Sequence, residues 1–168
     1  MRYLIPILLL IFSGLSTGCT TVGVGAGVGT GSGGILVSSR NDYLYPGSRV
    51  YADNRKGLNL FLARKFEEAN ATFTTALKAS PIDPDATFYL GLTRVYLGQR
   101  DAGLALLDKY QDPKFRVQDE VRWWAGYCRK KPEMTPDDVK RAMVNARAEG
   151  FMRDQDEYWN RRRDFLFN

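Results

Sequence analysis

The sequence predicts an all-α fold, a short α-solenoid of helical hairpins closed by a C-terminal capping helix. Two observations carry this. Small and large apolar residues recur at a fixed step of 34 residues: Gly57, Gly91 and Ala125 share one register, and the same step takes Ala69 to Gly103, Phe73 to Leu107 and Ala76 to Tyr110. Between the units stand helix start signals, Asp83-Pro84-Asp85 within the turn Ser80 to Asp85, and Thr135-Pro136-Asp137-Asp138. In both, a short polar residue precedes proline at the first helical position and acidic residues fill the first turn. With 168 residues and an apolar share of 44%, the chain can build one modest core besides a targeting segment.

In chain order, residues 1–18 read as a signal peptide: Met1 and Arg2, an apolar stretch from Tyr3 to Phe12 broken by Pro6, then small residues. A membrane span needs roughly 20 apolar residues, and this run is too short. The stretch Leu15-Ser16-Thr17-Gly18-Cys19 resembles the cleavage box of bacterial lipoproteins, with Ser16 where an aliphatic residue is usual and Leu15 one step earlier. The resemblance implies Cys19 as the first mature residue and the site of lipid attachment. Ordinary cleavage at the same bond, leaving Cys19 free of lipid, stays open, because Ser16 and Gly18 also satisfy the small-x-small rule. In a Gram-negative cell Thr20, which is not the aspartate that retains lipoproteins at the inner membrane, implies the outer membrane, facing the periplasm. Cys128 is the second of two cysteines and reads as a buried inert thiol, since no histidine is present to activate it.

Residues 19–48 form a tether and connector. Every second residue from Gly23 to Gly33 is glycine. That suits a flexible tether, because glycine so frequent penalises helix; a glycine zipper through Gly23, Gly27 and Gly31 is the other reading. Pro46-Gly47 signals a turn, and Tyr43, Leu44 and Tyr45 are expected to pack on the first helix.

Residues 49–150 hold the repeats. In the first unit Gly57, Leu60, Phe66, Ala69, Phe73, Ala76 and Pro81 follow the spacing of the tetratricopeptide (TPR) repeat, which the unit closely resembles. The second carries Leu90-Gly91, Gly98, Gly103, Leu107 and Tyr110. A third is degenerate: Trp124-Ala125 occupies the helix A position, and Val139, Met143 and Ala146 fit helix B after two residues are inserted in the loop Lys131 to Pro136. Gly150 is expected to end that helix, and residues 151–168 to add a separate capping helix. Along the third helix A, Val117, Val121, Trp124 and Cys128 form an inner stripe, which leaves Trp123 outside it.

The resemblance also implies a site. Groove-facing positions of TPR proteins lie on helix A, and by register these are Leu58, Phe61 and Leu62, then Phe88, Leu92 and Tyr96, then Arg122, Arg129 and Lys130. Such a groove, apolar running to basic, suits an amphipathic helix or an acidic extended peptide. A groove covered by the chain's own connector or last helix is the alternative. The family's carboxylate clamp does not match, since Arg55 and Leu58 stand where it would begin.

Composition narrows the chemistry. With no histidine, imidazole bases and ligands are closed to the protein. The acidic pairs Asp83 with Asp85 and Asp137 with Asp138 are explained by turn and cap roles, and no phosphate loop, nucleotide fingerprint or metal-ligand cluster occurs. No enzyme, cofactor, metal or small-molecule substrate is therefore expected. The formal charge of +5 falls to +4 without Arg2, mild for a nucleic-acid binder, and export argues against one. Arg161, Arg162 and Arg163, interleaved with Tyr158, Trp159, Phe165 and Phe167, either touch anionic lipid or form a solvated face diluted by Asp154, Asp156, Glu157 and Asp164. The expected function is a lipid-anchored TPR adaptor that binds a protein or peptide of an envelope assembly such as a secretion, pilus or polysaccharide-export machine. The alternative is a structural envelope lipoprotein with a self-filled groove, contacting partners or membrane through its basic aromatic C-terminal helix.

Overall fold

A computed structural model describes residues 44–167, apart from the side chains of residues 164, 166 and 167. The signal peptide, Cys19, the glycine-rich tether and Tyr43 lie outside the described residues. Within them the chain is all-helical, with six helices and no strand: α1 (Tyr51–Leu62), α2 (Phe66–Ala79), α3 (Pro84–Tyr96), α4 (Arg100–Asp108), α5 (Phe115–Arg129) and α6 (Pro136–Phe167). Each helix packs on the next in the chain; α1 also touches α3, and α3 touches α6.

Glycines set the closeness of the first two hairpins. A Cβ on Gly57 would stand 2.6 Å from the Phe73 ring, and one on Gly91 2.7 Å from Leu107, so α1 meets α2 and α3 meets α4 by the same contact one 34-residue step apart. Gly103 lies against the Gly91 carbonyl, where its own Cβ would stand at 2.4 Å. The turns repeat as well. Arg64 (φ 60°) and Gly98 (φ 77°) are both left-handed, and the bonds Lys65 N–H to Leu60 O and Gln99 N–H to Arg94 O close both helix ends the same way. Arginine is unusual at such a φ; the Arg64 guanidinium stands 5.9 Å from the rings of both Phe66 and Tyr96. One step further the sequence has Pro132, which cannot take a positive φ, and the third hairpin turns differently.

Helix starts follow the cap signals. Asp83 accepts from the Ala86 N–H at 2.8 Å with Pro84 as the first helical residue. Thr135 and Asp138 cap each other at the start of α6: the Asp138 N–H reaches Thr135 Oγ1 and the Thr135 N–H reaches Asp138 Oδ2, each at 3.2 Å. The end of α5 is held by Arg100, which donates to the carbonyls of Cys128, Lys131 and Met134 at 2.8 to 2.9 Å.

Two expectations need correction. Gly150 does not end a helix; α6 runs through it for 32 residues, and the expected capping helix is its continuation. The glycine serves close approach instead, because a Cβ there would stand 2.5 Å from Val117 Cα and 2.7 Å from the Arg116 carbonyl. Leu44 of the connector packs against the core, and Tyr45 bonds beyond the first helix. The Tyr45 N–H donates to Asp85 of α3 at 2.7 Å and its hydroxyl to Asp112 at 2.7 Å, so it reaches past α1 to the α4–α5 loop.

Candidate interaction surfaces

The apolar residues assigned to the groove, on α1 and α3, are brought together and most of them are covered; the basic ones, on α5, are not beside them. Leu58, Phe61, Phe88 and Leu92 are buried and Tyr96 half-buried; Leu62, 47% exposed, is the one apolar member of the set left mostly in solvent. Phe61 is enclosed by Phe66 of α2 and by Tyr89 and Tyr96 of α3, and the first part of α6 runs antiparallel to α3 beside them. At one end the Tyr96 hydroxyl donates to Asp137 at 2.5 Å, and at the other Arg147 meets Asp85. Between them the Lys140 ammonium stands 5.6 Å from the Phe61 ring. Burial, and then the Asp137 carboxylate, push the Tyr96 phenol well above its ordinary titration range. By chain order α5 would lie beside α3; α6 takes that place, and α5 is left against α4 and α6.

Two of the three basic members of the set join neighbouring elements. Arg122 Nε donates to the Tyr110 carbonyl at 2.7 Å, and Arg129 pairs with Asp108 at 2.5 Å, both joining α5 to the α4 side. Lys130 is exposed at the end of α5.

A polar cluster that sequence reasoning did not find ties α6 down. Arg147 is 2% exposed, paired with fully buried Asp85, and its guanidinium lies 4.8 Å from the centre of the Phe88 ring. Burial pushes the Asp85 carboxyl above its ordinary value; the Arg147 charge and hydrogen bond, with the Tyr45 N–H, pull it back, and Asp83 pushes it up again. Asp83 also accepts from Asn54 at 2.8 Å and from Ser48 at 2.5 Å, which joins connector, α1 and α3 at one point. The available signal was periodicity. Val139, Met143, Arg147 and Gly150 stand on one helical stripe, and a charge among buried positions requires a buried partner.

The outer side of α5 is a different surface. Trp123, 62% exposed, stacks on Tyr127 with ring centres 5.8 Å apart and meets Trp124 edge-on, as the inner stripe anticipated by leaving Trp123 out. Two open depressions share Trp124 as a wall, one bounded by Tyr127 and Arg141, the other by Glu120 and Arg153. Further along, the last turns of α6 carry exposed Tyr158, Trp159 and Phe165 beside Arg161, Arg162 and Arg163.

Cys128 is fully buried, and burial pushes its thiol up, which Arg100 only partly offsets. That matches an inert thiol. Among the described residues no helix is long and apolar enough to cross a membrane. None of the family models, curated proteins and solved structures compared with the chain matches it.

Proposed function

We propose that the chain is a lipid-anchored, TPR-like scaffold of the bacterial envelope that binds a protein partner, with its helix A groove filled by its own α6. The partner docks outside that groove, on the aromatic face of α5. The observation that carries this is the exchange of exposure: Phe61, Phe88 and Leu92 are buried, with α6 reaching Phe88 through Arg147 and Phe61 through Lys140, while Trp123 and Tyr127 stand open on α5. Exposed, clustered tryptophan and tyrosine anchors are what protein interfaces use most. The adaptor role within an export, secretion or pilus assembly rests on resemblance in the repeat register. Anchoring rests on the lipoprotein-like box at Cys19, with Thr20 favouring the outer membrane and the periplasmic side. No catalytic role is proposed.

A photo-crosslinking amino acid placed at position 123 in cells should give one discrete adduct with a partner protein, and one at position 92 should give none. An adduct from position 92 without one from 123 would return the interface to the groove. Separately, a palmitate analogue should label the chain, and Cys19→Ser should abolish the label.

A further inference from the structure

The last turns of α6 are the most exposed apolar segment of the described chain. Tyr158, Trp159 and Phe165 are 51%, 57% and 87% exposed. At 3.6 residues per turn, Tyr158, Arg162 and Phe165 are one stripe at i, i+4 and i+7, and Trp159 stands in the adjoining column above Met152, itself exposed. The aromatic sector is about 120° wide. Arg162 lies within it, Arg161 borders it on the Tyr158 side and Arg163 on the Trp159 side.

Among the described side chains the three arginines bond to neutral groups. Arg161 donates to the Glu157 carbonyl at 3.4 Å, Arg162 to the Tyr158 hydroxyl at 3.4 Å and Arg163 to the Asn160 amide oxygen at 2.8 Å, all neutral acceptors of the same helix. Of the acidic neighbours, Glu157 is turned away, bound by Arg116 of α5 through two bonds of 2.6 Å; exposed Asp156 stands beside Arg163 on the Trp159 side, one carboxylate against three guanidinium groups on the described side chains. Trp159 is mostly exposed, and its ring contacts among the described side chains are Tyr158 at 5.4 Å and Arg162 at 5.8 Å.

We propose that this segment of α6 lies on an anionic membrane surface, its aromatic rings in the headgroup layer and its arginines on lipid phosphates. Rings bracketed by arginines on both sides fit that boundary, since guanidinium groups reach outward along it while their stems and the rings sink. Tyr158 and Arg161 also border an open depression with Lys114 and exposed Phe115, which extends the aromatic and basic surface offered to a bilayer. This goes beyond the docking face on α5 and does not depend on it.

The test uses the full chain with Trp123→Phe and Trp124→Phe, which leaves Trp159 as the only one of the three tryptophans. Its fluorescence is read with vesicles of brominated phosphatidylglycerol and phosphatidylethanolamine, and with brominated phosphatidylcholine alone. Trp159 should be quenched and blue-shifted in the anionic vesicles, weakly or not at all in phosphatidylcholine, and released by high salt. Replacing Arg161, Arg162 and Arg163 together by glutamine should weaken the Trp159 response on the order of a hundredfold while helical content is kept. Attachment through another part of the chain leaves Trp159 unquenched. An unquenched Trp159 in anionic vesicles, equal quenching in both lipids, or quenching unchanged by the arginine replacements would each overturn the proposal. None of these outcomes bears on crosslinking from position 123.

Discussion

Truncating Phe61 to alanine separates a filled groove from an open one. Its ring is 3% exposed and lies among Phe66, Tyr89 and Tyr96 at centre distances of 5.6, 6.0 and 5.5 Å, with Lys140 of α6 closing the last side. A phenylalanine so enclosed costs about 3 to 5 kcal/mol when cut to alanine, through lost burial and the cavity left behind. Whole domains are stable by about 5 to 15 kcal/mol, so the loss is a large part of the total. For a helical domain of this size it lowers the melting temperature by about 10 to 20 °C. The neighbouring control is Leu62→Ser, at a side chain 47% exposed, which should change stability by no more than about 0.5 kcal/mol. Thermal melts followed by circular dichroism, with urea titrations for the free energies, measure both. A Phe61→Ala protein that melts at the wild-type temperature but loses its partner would mean that α6 does not seal the groove in solution.

Three further outcomes follow from the packing of α6. Gly150→Ala should destabilise by about 1 to 3 kcal/mol, because its Cβ would enter the Val117 backbone; helix propensity alone would give a gain of about 1 kcal/mol, so the sign of the change in urea midpoint decides. Arg147→Met should cost about 3 to 5 kcal/mol by leaving the Asp85 carboxyl buried without its counter-charge. Adding Asp85→Asn, which keeps an acceptor for the Tyr45 N–H, should recover part of that loss, and a double-mutant cycle with additive losses would dismiss the pair. Asp138 is held below the ordinary aspartate range by the Thr135 hydroxyl and N–H, with Arg141 adding to it. Its folded value being depressed, the cap is at full strength above the ordinary range, near pH 4, and weakens as pH falls through the lowered value. Carboxyl NMR titration should show that depression and its reversal in Thr135→Val; an unshifted Asp138 would exclude the reciprocal cap.

The sequence alone determined the local features of this protein. The caps at Asp83 and Thr135, the small residues at 57, 91 and 103 and the inner stripe at 117, 121 and 128 were legible because each is set by neighbours three, four or thirty-four positions away. The length of α6 was misjudged at Gly150, since a glycine that ends a helix and one that admits another backbone look alike in sequence. The helix A residues of α1 and α3 stand near one another, but their burial, and the separation of Arg122, Arg129 and Lys130 from them, were not legible, because register says which face a side chain takes and not what lies over that face. Only the tertiary structure decided that. A two-residue insertion and Pro132 remove the turn geometry shared by the first two hairpins, and the third hairpin brings α6 rather than α5 against α3. The Asp85–Arg147 pair joins residues 62 positions apart and holds it there, a contact that no local pattern specifies. That placement sets α6 over Phe88 and Tyr96 of α3, and leaves the aromatic side of α5 and the arginine-flanked end of α6 facing outward.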